Sequence, residues 1–311
     1  MKPRILVLAE TFSKFPDLTA EADFCYADGC TAEQMEHSIR LYGDEIRAVV
    51  TNGSIGLNSR EMSQLPKLEI VCSLGVGYEN IDLEAAYARR IIVTNGPGLN
   101  SVAVADHTLA LLLALVRNIP ASDTSIRSGQ WNRHMRPTVS GKKLGICGLG
   151  SIGLEIAARA AGGFGMSVHY HNRRPRSDVP YIFHSSLSAM AEFVDFLVIA
   201  TPGGAGTREM VDATVLKALG PTGFLVNIAR GSVVDTAALV AALSTGGIAG
   251  AALDVFDEEP CSSPDLLVCP NTVFTPHVAG LSPEAAKATV QLVLENLNAH
   301  FAGRPVLTPV F

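Results

Sequence analysis

The chain has 311 residues, of which 48% are hydrophobic and 17% are charged. A chain of this length and apolar content can bury two hydrophobic cores of ordinary domain size. Its formal net charge of -6 argues against a nucleic-acid or anionic-membrane partner, because both need clustered Lys and Arg. We therefore expect a small-molecule substrate and no nucleic acid.

The start of the chain and its most apolar segment argue against export and membrane insertion. Residues 1–4 lead directly into the strand-like run ILVLA, without the apolar stretch and cleavage site of a secretory signal. Residues 109–116 are far fewer than the roughly 20 apolar residues that a membrane span needs. We expect a soluble, cytoplasmic protein.

The cysteines and histidines follow no recognisable disulfide or metal pattern. The sequence contains no CxxC and no HExxH motif. His169 and His171 share one face of a predicted strand, without a nearby Cys or carboxylate to complete a metal site. We predict no bound metal, and reduced core thiols at Cys25, Cys30, Cys72, Cys147, Cys261 and Cys269.

Short apolar runs typical of β-strands alternate with helix-length segments. The first set is ILVLA, IRAVV, EIVCS and IIVTN, and the second is KKLGICG, MSVHYH, FLVIAT, FLVNIA, GAALDV and TVFTPH. This alternation predicts an α/β protein with two doubly wound parallel sheets. Pro97 and Gly98 separate the two sets, so the first domain boundary is placed there.

A long helix is predicted at the carboxyl end of the chain. Ser282 can cap it, Pro283 suits its first turn, and Glu284 lies near the positive end of the helix dipole. Its apolar stripe needs a partner surface and consists of Val290, Val293, Leu294, Leu297 and Phe301.

A dinucleotide-binding motif follows the strand KKLGIC. Gly148, Gly150 and Gly153 form a G-x-G-x-x-G run that precedes the helix-forming segment LEIAARAA. The three glycines permit a tight turn, close approach of a pyrophosphate, and close helix–strand packing, respectively. The helix amino terminus, with Ser151 and Ile152, then faces the phosphates. A glycine-rich turn without a ligand is the alternative.

The residues after the second strand of this unit predict which dinucleotide binds. An NAD-dependent enzyme usually carries Asp or Glu there, to bind the ribose 2'-hydroxyl. This chain has Asn172, Arg173 and Arg174, which favour a 2'-phosphate that a carboxylate would repel. We predict NADP(H) as the preferred cofactor and NAD(H) as the alternative. An ordinary solvated basic turn would also explain the arginines.

Three segments at the carboxyl ends of late strands carry the remaining polar chemistry: NIARGSVVD, ALDVFDEEP and TPHVAG. Ligands bind at that edge of an open α/β sheet. Together with GLGSIG, these segments resemble the D-isomer-specific 2-hydroxyacid dehydrogenase family along essentially the whole chain. The likeness is strongest to its glyoxylate/hydroxypyruvate reductase branch, whose members share runs similar to IRAVVTNGSIG, LPKLEIV and IRSGQW.

The resemblance implies reduction of small 2-oxo acids, such as glyoxylate and hydroxypyruvate, to D-2-hydroxy acids; the residues at 172–174 make NADPH the expected reductant. The resemblance also implies that Arg230 binds the substrate carboxylate, that Glu259 orients the acid, and that His277 donates the proton. From the chemistry we expect Glu259 to be buried, because a buried Glu paired to the imidazole would favour the charged ring and hold its orientation. These residue types suit the chemistry, because hydride addition builds negative charge on the carbonyl oxygen, which a protonated imidazole neutralises. Taken singly, each residue also has a purely structural interpretation, as an ion pair, a loop acid or a structural histidine.

Further cofactor contacts are implied by the same resemblance. Asp254 matches the position that hydrogen-bonds the nicotinamide carboxamide. The family more often has Leu-Thr after the proline of the TP pair, whereas this chain has GGAG at 203–206, which we expect to loosen that loop. The remaining residues expected to contact the cofactor are Thr201, Pro202, Thr207, Ile228 and Ala229.

The implied fold is a Rossmann cofactor domain at 99–282 inserted into a flavodoxin-like substrate domain formed by 1–98 and 283–311. In the family, the last helix packs on the first domain. Glycines after the strand EIVCS can bring backbone N-H groups close to a carboxylate, unless they only form a turn that serves the sheet. The substrate-binding residues expected to line the cleft with Arg230 and His277 are Asn52, Leu74, Gly75, Val76 and Gly77.

The resemblance also implies a homodimer, formed through the helix at 101–116 and the segment 119–138. That segment carries Trp131, the single tryptophan. We expect Trp131 either to enter the neighbouring active site and limit substrate size, or to act only as an interface anchor.

Related activities remain as alternatives. Dehydrogenases of the 2-ketogluconate, phosphoglycerate and formate types share the fold, and a dinucleotide-sensing corepressor could keep the Arg, Glu and His set without catalysis. The acidic charge argues against the corepressor. The end of the chain at Phe311 argues against the appended domain of many phosphoglycerate enzymes. Fold likeness does not rank the substrates.

Overall fold

The computed structural model describes residues 3–19, 23–26 and 32–311. The chain separates into two compact units, one formed by Met1–Asn100 with Leu281–Phe311 and the other by Ser101–Gly280. The boundaries expected from the sequence, after 98 and after 282, compare with observed boundaries after 100 and after 280.

In the described residues, the first unit contains one parallel sheet of five strands. They are β1 (Arg4–Val7), β2 (Asp23–Tyr26), β3 (Ile46–Asn52), β4 (Ile70–Leu74) and β5 (Ile92–Thr94). Their order, β2-β1-β3-β4-β5, confirms the predicted flavodoxin-like arrangement. A 3-10 turn at Glu10–Lys14 precedes the helices of this part, which are α1 (Pro16–Thr19), α2 (Ala32–Tyr42), α3 (Ser59–Ser63) and α4 (Leu83–Ala88).

The second unit contains a seven-stranded parallel sheet. Its strands are β6 (Lys143–Cys147), β7 (Ser167–His171), β8 (Ile182–Phe183), β9 (Phe196–Ile199), β10 (Phe224–Asn227), β11 (Gly250–Leu253) and β12 (Thr272–Phe274). The order β12-β11-β10-β9-β6-β7-β8 is the Rossmann order extended by one strand, as predicted. The helices around it are α5 (Ser101–Val116), α6 (Ile119–Arg127), α7 (Ser151–Phe164), α8 (Leu187–Phe193), α9 (Ala213–Leu219), α10 (Thr236–Ser244) and α11 (Pro264–Leu267).

Both faces of the second sheet are covered, which explains its nearly continuous apolar strands. Along β10, Phe224 and Val226 enter one buried cluster with residues of α5 and α7. The residue between them, Leu225, enters a second cluster with residues of α8, α9 and α10. Successive strand residues point to opposite faces, so a strand buried on both sides is apolar at every position.

The last helix, α12 (Pro283–Phe301), completes the first unit. The predicted cap is confirmed, because the Ser282 side chain accepts a hydrogen bond from the Ala285 N-H. Val290, Val293 and Leu297 of the apolar stripe are buried in one cluster with strand residues of β1, β3 and β4. The stripe therefore has the partner surface that it required.

The carboxyl-terminal tail is fastened to α12 and to the edge of the first sheet. Asn296 is 1% exposed, and its side-chain oxygen accepts hydrogen bonds from the N-H groups of Leu307 and Thr308. Further along, the Val310 N-H donates to the Val93 carbonyl oxygen of β5. The tail thereby covers an otherwise exposed strand edge.

Among the residues that the structure describes, no single helix is long and apolar enough to cross a membrane; only α5 and α6 together, bent by 61°, reach that length and composition. The same residues contain no group of three or more His, Cys, Asp or Glu side chains arranged to hold a metal ion. His169 instead bonds through Nδ1 to His184 Nε2, at 2.9 Å.

The thiol prediction holds at three of the four described positions. Cys72, Cys147 and Cys269 are buried and unpaired, and burial raises the pKa of both Cys72 and Cys147 to about 12. Cys261 is also free but only half-buried, so it is not a core thiol as expected. Cys30 and the side chain of Cys25 lie outside the described parts.

Glu69 links the last helix to the first sheet. Its carboxyl group makes the stability of the first unit depend on pH. Partial burial alone would raise its pKa, but hydrogen bonds from Arg47, at 2.6 Å, and His300, at 3.0 Å, outweigh burial and lower it. A carboxyl group whose pKa is lowered by folding stabilises the protein above its unfolded pKa, and the contribution is lost as pH falls through the folded value.

We predict that Glu69→Gln destabilises the first unit near neutral pH, and that the difference from wild type disappears on acidification below the ordinary carboxyl value of 4.5. Thermal unfolding followed by circular dichroism between pH 7 and pH 3 measures this difference. Glu36→Gln, at an exposed position of α2, is the control and should match wild type throughout. A Glu69→Gln deficit that persists unchanged at acid pH would contradict the interpretation.

Candidate active site

Polar and glycine residues of the second unit are gathered along one edge of its sheet. All strand pairs in this sheet are parallel, so the carboxyl ends of the strands lie on the same side. The residues that follow β6, β7, β9, β10, β11 and β12 there are, in that order, Gly148, Asn172, Thr201, Arg230, Asp254 and His277. The sequence-predicted cofactor and catalytic residues of this unit therefore share one edge.

The glycine turn after β6 has the shape expected of a phosphate cradle. A Cβ at Gly148 would lie 2.7 Å from the backbone of Ala200, and one at Gly153 would overlap the carbonyl oxygen of Gly148. Any side chain at these two positions would force the turn apart. A Cβ at Gly150 would meet no atom within 4 Å, so the space beside it is available to a ligand.

The amino terminus of α7 can hold an anion at this turn. Gly150 is its N-cap and supplies no side-chain hydrogen bond to the first turn. The first N-H groups of a helix have no partner within the helix, and they favour negative charge. The residues thus fit the pyrophosphate of a dinucleotide, held by Ser151, Ile152 and Gly153 through their N-H groups.

The segment after β7 is tied back to the glycine turn at Leu149. The Asn172 side-chain oxygen accepts a hydrogen bond from the Leu149 N-H at 2.7 Å, and Arg176 donates to the Leu149 carbonyl oxygen at 2.9 Å. Arg173 and Arg174 are exposed. The amide oxygen of Asn172 is therefore committed to the turn, and the two arginines are the exposed cationic groups at this end.

The loop after β9 is closed on itself. The Thr207 hydroxyl donates to the Pro202 carbonyl oxygen at 2.8 Å, and the Thr207 N-H donates to the Gly204 carbonyl oxygen at 3.1 Å. The loop thus has internal hydrogen bonds, although the GGAG segment at 203–206 was expected to loosen it. Gly203 is needed for another reason, because a Cβ there would lie 2.8 Å from Cγ of Arg230.

Arg230 follows β10, in a turn that Asn227 organises. Asn227 is 1% exposed; its side-chain oxygen accepts from the Ala229 N-H and its amide donates to the Arg230 carbonyl oxygen, both at 3.0 Å. Ile228 and Ala229, expected near the cofactor, have side chains buried to 7% and 6% exposure. Arg230 itself is half-buried and donates to the Ala229 carbonyl oxygen.

The Arg230 turn and the Glu259 loop are packed directly against each other. A Cβ at Gly231 would overlap the backbone of Phe256 and Asp257. Only glycine lets the two chain segments pass this closely. Glu259 then folds back, so that its Oε1 accepts from the Phe256 N-H at 3.1 Å.

Glu259 and His277 form the hydrogen-bonded pair that the sequence predicts. Nδ1 of His277 lies 2.7 Å from Oε2 of Glu259. The expectation that Glu259 is buried is wrong, because its side chain is 34% exposed and that of His277 is 35% exposed. The loop carrying Glu259 lies at the rim of the sheet edge, where solvent reaches both groups.

Asp254 is enclosed beneath the His277 turn. It is 1% exposed, and its carboxylate accepts hydrogen bonds from the N-H groups of Val278 and Ala279 at 2.9 Å and from the Thr275 hydroxyl at 2.5 Å. Its carbonyl oxygen accepts from the His277 N-H at 2.7 Å. The contact expected between Asp254 and a nicotinamide carboxamide stays a prediction; in this structure the carboxylate holds the turn.

The expected substrate loop of the first unit follows β4. Its carbonyl oxygens are taken: that of Gly75 by the Gly96 N-H, that of Val76 by the Asn95 side chain, and that of Gly77 by the Ser73 hydroxyl. The N-H groups of residues 75–77, which follow Leu74, donate no hydrogen bond to any part of the chain that the structure describes. The loop therefore has backbone N-H groups that can bind a ligand, whereas its carbonyl oxygens are already bonded, as in an anion-binding nest.

Asn52, also expected at the substrate site, has a local role in the structure. Its side-chain oxygen accepts from the N-H groups of Ser54 and Ile55 and so shapes the turn after β3. A Cβ at Gly53 would lie 2.8 Å from the carbonyl carbon of Gly77, so this turn lies against the Gly75–Gly77 loop. Asn52 thus stands beside the loop, with its amide oxygen already used.

Several residues that shape the site were not singled out from the sequence. Asn227 at the end of a strand, two residues before the Ala229 N-H that it binds, has the spacing of an Asx turn and could have been found. Gly231 and Arg176 act through contacts with distant parts of the sequence, which no local pattern predicts.

A doubly wound dinucleotide fold with a histidine–carboxylate pair and an arginine at its ligand-binding edge defines the class of nicotinamide-dependent dehydrogenases. Residues 109–279 match the sequence model of a protein family, the NAD binding domain of the D-isomer specific 2-hydroxyacid dehydrogenases. The chain is 41% identical over 283 residues to glyoxylate/hydroxypyruvate reductase A of Arabidopsis thaliana, covering 90% of each protein. It is 42% identical over 268 residues to 2-ketogluconate reductase of Gluconobacter oxydans, covering 85% of this chain and 86% of that one.

Solved structures agree with these relatives. An NADPH-dependent glyoxylate/hydroxypyruvate reductase from Sinorhizobium meliloti, in complex with NADP and malonate, matches with a TM-score of 0.86 and 38% identity, over 100% of this chain and 97% of that one. The chain therefore belongs to the D-isomer-specific 2-hydroxyacid dehydrogenase family, and it is an oxidoreductase that uses a nicotinamide dinucleotide.

We predict that Gly231→Ala lowers both the thermal stability of the second unit and the turnover of 2-oxo acids, because the added Cβ separates the Arg230 turn from the Glu259 loop. Gly162→Ala is the control: it adds a Cβ that meets nothing within 4 Å, and in helix α7 it should stabilise by up to about 1 kcal/mol. Differential scanning calorimetry and steady-state rates measure both effects. Wild-type stability and rates for Gly231→Ala would show that the close packing is unimportant.

Proposed function

We propose that this protein reduces small 2-oxo acids, glyoxylate and hydroxypyruvate in particular, to D-2-hydroxy acids with NADPH. His277 donates the proton, Glu259 orients it, and Arg230 binds the substrate carboxylate. The observation that carries the proposal is the 2.7 Å hydrogen bond between Nδ1 of His277 and Glu259, at the same sheet edge as Arg230. The named activities of the relatives support the substrate class.

The hydrogen-bonded pair determines which ring nitrogen meets the substrate. Since Nδ1 of His277 faces the Glu259 carboxylate, Nδ1 carries a proton, and Nε2 is the nitrogen left for the carbonyl oxygen. When bound, the reduced dinucleotide supplies the hydride to the carbonyl carbon. His277 gives its Nε2 proton to the oxygen as the C-O bond becomes single, and so neutralises the charge developing there.

The exposure of the pair allows His277 to be recharged. After one turnover the imidazole has lost a proton, which must return from solvent before the next reduction. A side chain that is 35% exposed can take it directly from water. Glu259, held at its other oxygen by the Phe256 N-H, keeps its orientation during this exchange.

Two groups of hydrogen-bond donors suit a carboxylate, one in each unit. The guanidinium of Arg230 can make two parallel hydrogen bonds to it, which fixes the orientation of the adjacent carbonyl. The N-H groups of residues 75–77 in the first unit are neutral donors of the kind found in other anion-binding nests. Both sets recognise a carboxylate and place no demand on the rest of a small 2-oxo acid.

The preference for NADPH is supported by the charge at the end of β7. Arg173 and Arg174 are exposed, and no carboxylate stands at position 172 to repel a 2'-phosphate. The Sinorhizobium meliloti relative is named for its NADPH dependence. We propose that the two guanidinium groups hold the 2'-phosphate while Asn172 holds the glycine turn.

We also propose that the protein is a homodimer, formed through the arm at 119–138. In the single chain the arm exposes large apolar side chains, with Ile126 53%, Trp131 79% and Met135 101% exposed. Exposed apolar groups clustered on one segment are typical of association surfaces. Trp131 in a partner's arm would then be either an anchor or a limit on substrate size.

A direct assay tests the activity. Purified protein is mixed with glyoxylate, hydroxypyruvate or 2-ketogluconate and with NADPH or NADH, and the absorbance of the reduced cofactor is followed. We expect His277→Gln to lower kcat by about 100-fold or more, with the Kd for NADPH within about twofold of wild type. His37→Gln, at an exposed position of α2, is the control. Turnover by His277→Gln at more than a tenth of the wild-type rate would overturn the assignment.

Cofactor preference is tested by the double variant Asn172→Asp with Arg173→Ala. An aspartate keeps the acceptor that binds the Leu149 N-H, so the turn is preserved while the net charge of residues 172–174 falls from +2 to zero. We expect the ratio of kcat/KM for NADPH to that for NADH to fall by about 10- to 100-fold. Arg60→Ala, at an exposed position of α3, should leave the ratio unchanged. An unaltered ratio in the double variant would refute the preference.

A further inference from the structure

His277 has a backbone conformation that needs support. Its φ is 53°, in the left-handed region that non-glycine residues rarely adopt. Such a residue keeps its conformation only when its surroundings hold it. The support comes from Asp254, which binds the three consecutive N-H groups of His277, Val278 and Ala279. The position of the imidazole therefore depends on the position of the Asp254 carboxylate.

Asp254 is held in turn from the side of α5. The Thr275 hydroxyl donates its only proton to Oδ1 of Asp254, at 2.5 Å. Nε2 of His107, in α5, lies 3.0 Å from the same hydroxyl oxygen and 3.6 Å from Oδ1 of Asp254. Because the hydroxyl has no second proton, it accepts from His107, and Nε2 of His107 must carry the hydrogen. The order of donation is His107 to Thr275 to Asp254.

We propose that His107 is a positioning residue for the proton donor, acting through Thr275 and Asp254. This inference rests on the proposed role of His277. The His107 N-H fixes the hydroxyl rotor of Thr275, the hydroxyl fixes one oxygen of Asp254, and Asp254 fixes the strained turn. His107 touches neither His277 nor Glu259 in the structure, and its side chain is 24% exposed.

Loss of the His107 N-H should affect the chemical step more than binding. The Thr275 hydroxyl becomes free to rotate, Asp254 is held less firmly, and His277 loses its alignment with the carbonyl oxygen. Displacement of a catalytic group by about 1 Å can cost about 100-fold in rate. The glycine turn of α7 and the Arg230 turn lie on other strands, so cofactor and carboxylate binding should change little.

The test compares disruptive and conservative substitutions at two positions. His107→Leu removes the donor, whereas His107→Gln keeps an N-H group at a similar distance from the helix. Thr275→Val removes the hydroxyl, whereas Thr275→Ser keeps it. We expect kcat to fall about 10- to 100-fold in the Leu and Val variants, with KM and the Kd for NADPH within about twofold, and to recover to within about threefold in the Gln and Ser variants. His37→Leu is the matched control.

Rescue distinguishes positioning from folding. Circular dichroism and melting temperature are recorded for all variants, and the Gln and Ser variants carry the conclusion if the Leu or Val variant is unstable. Wild-type kcat in His107→Leu would overturn the proposal, as would equal losses in His107→Leu and His107→Gln. If His277→Gln keeps its turnover, the proposed function fails; if it loses turnover while His107→Leu does not, only the present inference fails.

Discussion

The parallel alignment of the strands in the second unit is the constraint on which the site depends. Seven strands point the same way, so the turns that follow them share one edge, at intervals of about 4.8 Å per strand. Residues separated by more than a hundred positions in the sequence are thereby brought into one row. The glycine turn lies after β6, and the arginine, aspartate and histidine lie after the three strands at one side of the sheet.

Within that row, the histidine–glutamate pair and the aspartate that holds the histidine turn lie at different depths. Glu259 and His277 are about one-third exposed, which lets them exchange protons with water. Asp254 is fully enclosed, and an enclosed carboxylate is costly unless its oxygens accept hydrogen bonds. Here the bonds come from the turn and from Thr275, so the requirement to satisfy a buried charge is also what gives the turn its shape.

Elements with a strong local pattern could be predicted from the sequence, and elements defined by distant contacts could not. The apolar runs that became β3, β4, β6, β9 and β10 are buried on both faces, so their composition alone identifies them. The edge strands β2 and β8 were missed, and β8 spans only Ile182–Phe183; the other edge strands, β5 and β12, were predicted because each lies in a longer apolar run. An edge strand needs no continuous apolar run.

The candidate site could also be predicted only where a local sequence pattern marks its residues. Arg230, Glu259 and His277 were singled out through family-like segments, and the histidine–glutamate contact is present. The burial of Glu259 was wrongly predicted, since a residue's depth depends on how its loop folds over the sheet edge. The bond from Asn172 to Leu149 and the overlap that Gly231 avoids at Phe256 join segments 23 and 25 residues apart. The sequence around each of these residues does not predict such contacts.

The return of α12 to the first unit has a consequence for biosynthesis. The cluster around Ile5, Val7 and Val50 lacks Val290, Val293 and Leu297 until nearly the whole chain has been translated. The second unit, continuous from Ser101 to Gly280, has all its strands once its own last residues leave the ribosome. Domains usually fold as they emerge, amino-terminal first. In this chain the first 100 residues lack the apolar side chains of α12 until Pro283–Phe301 has been made, after the second unit is complete.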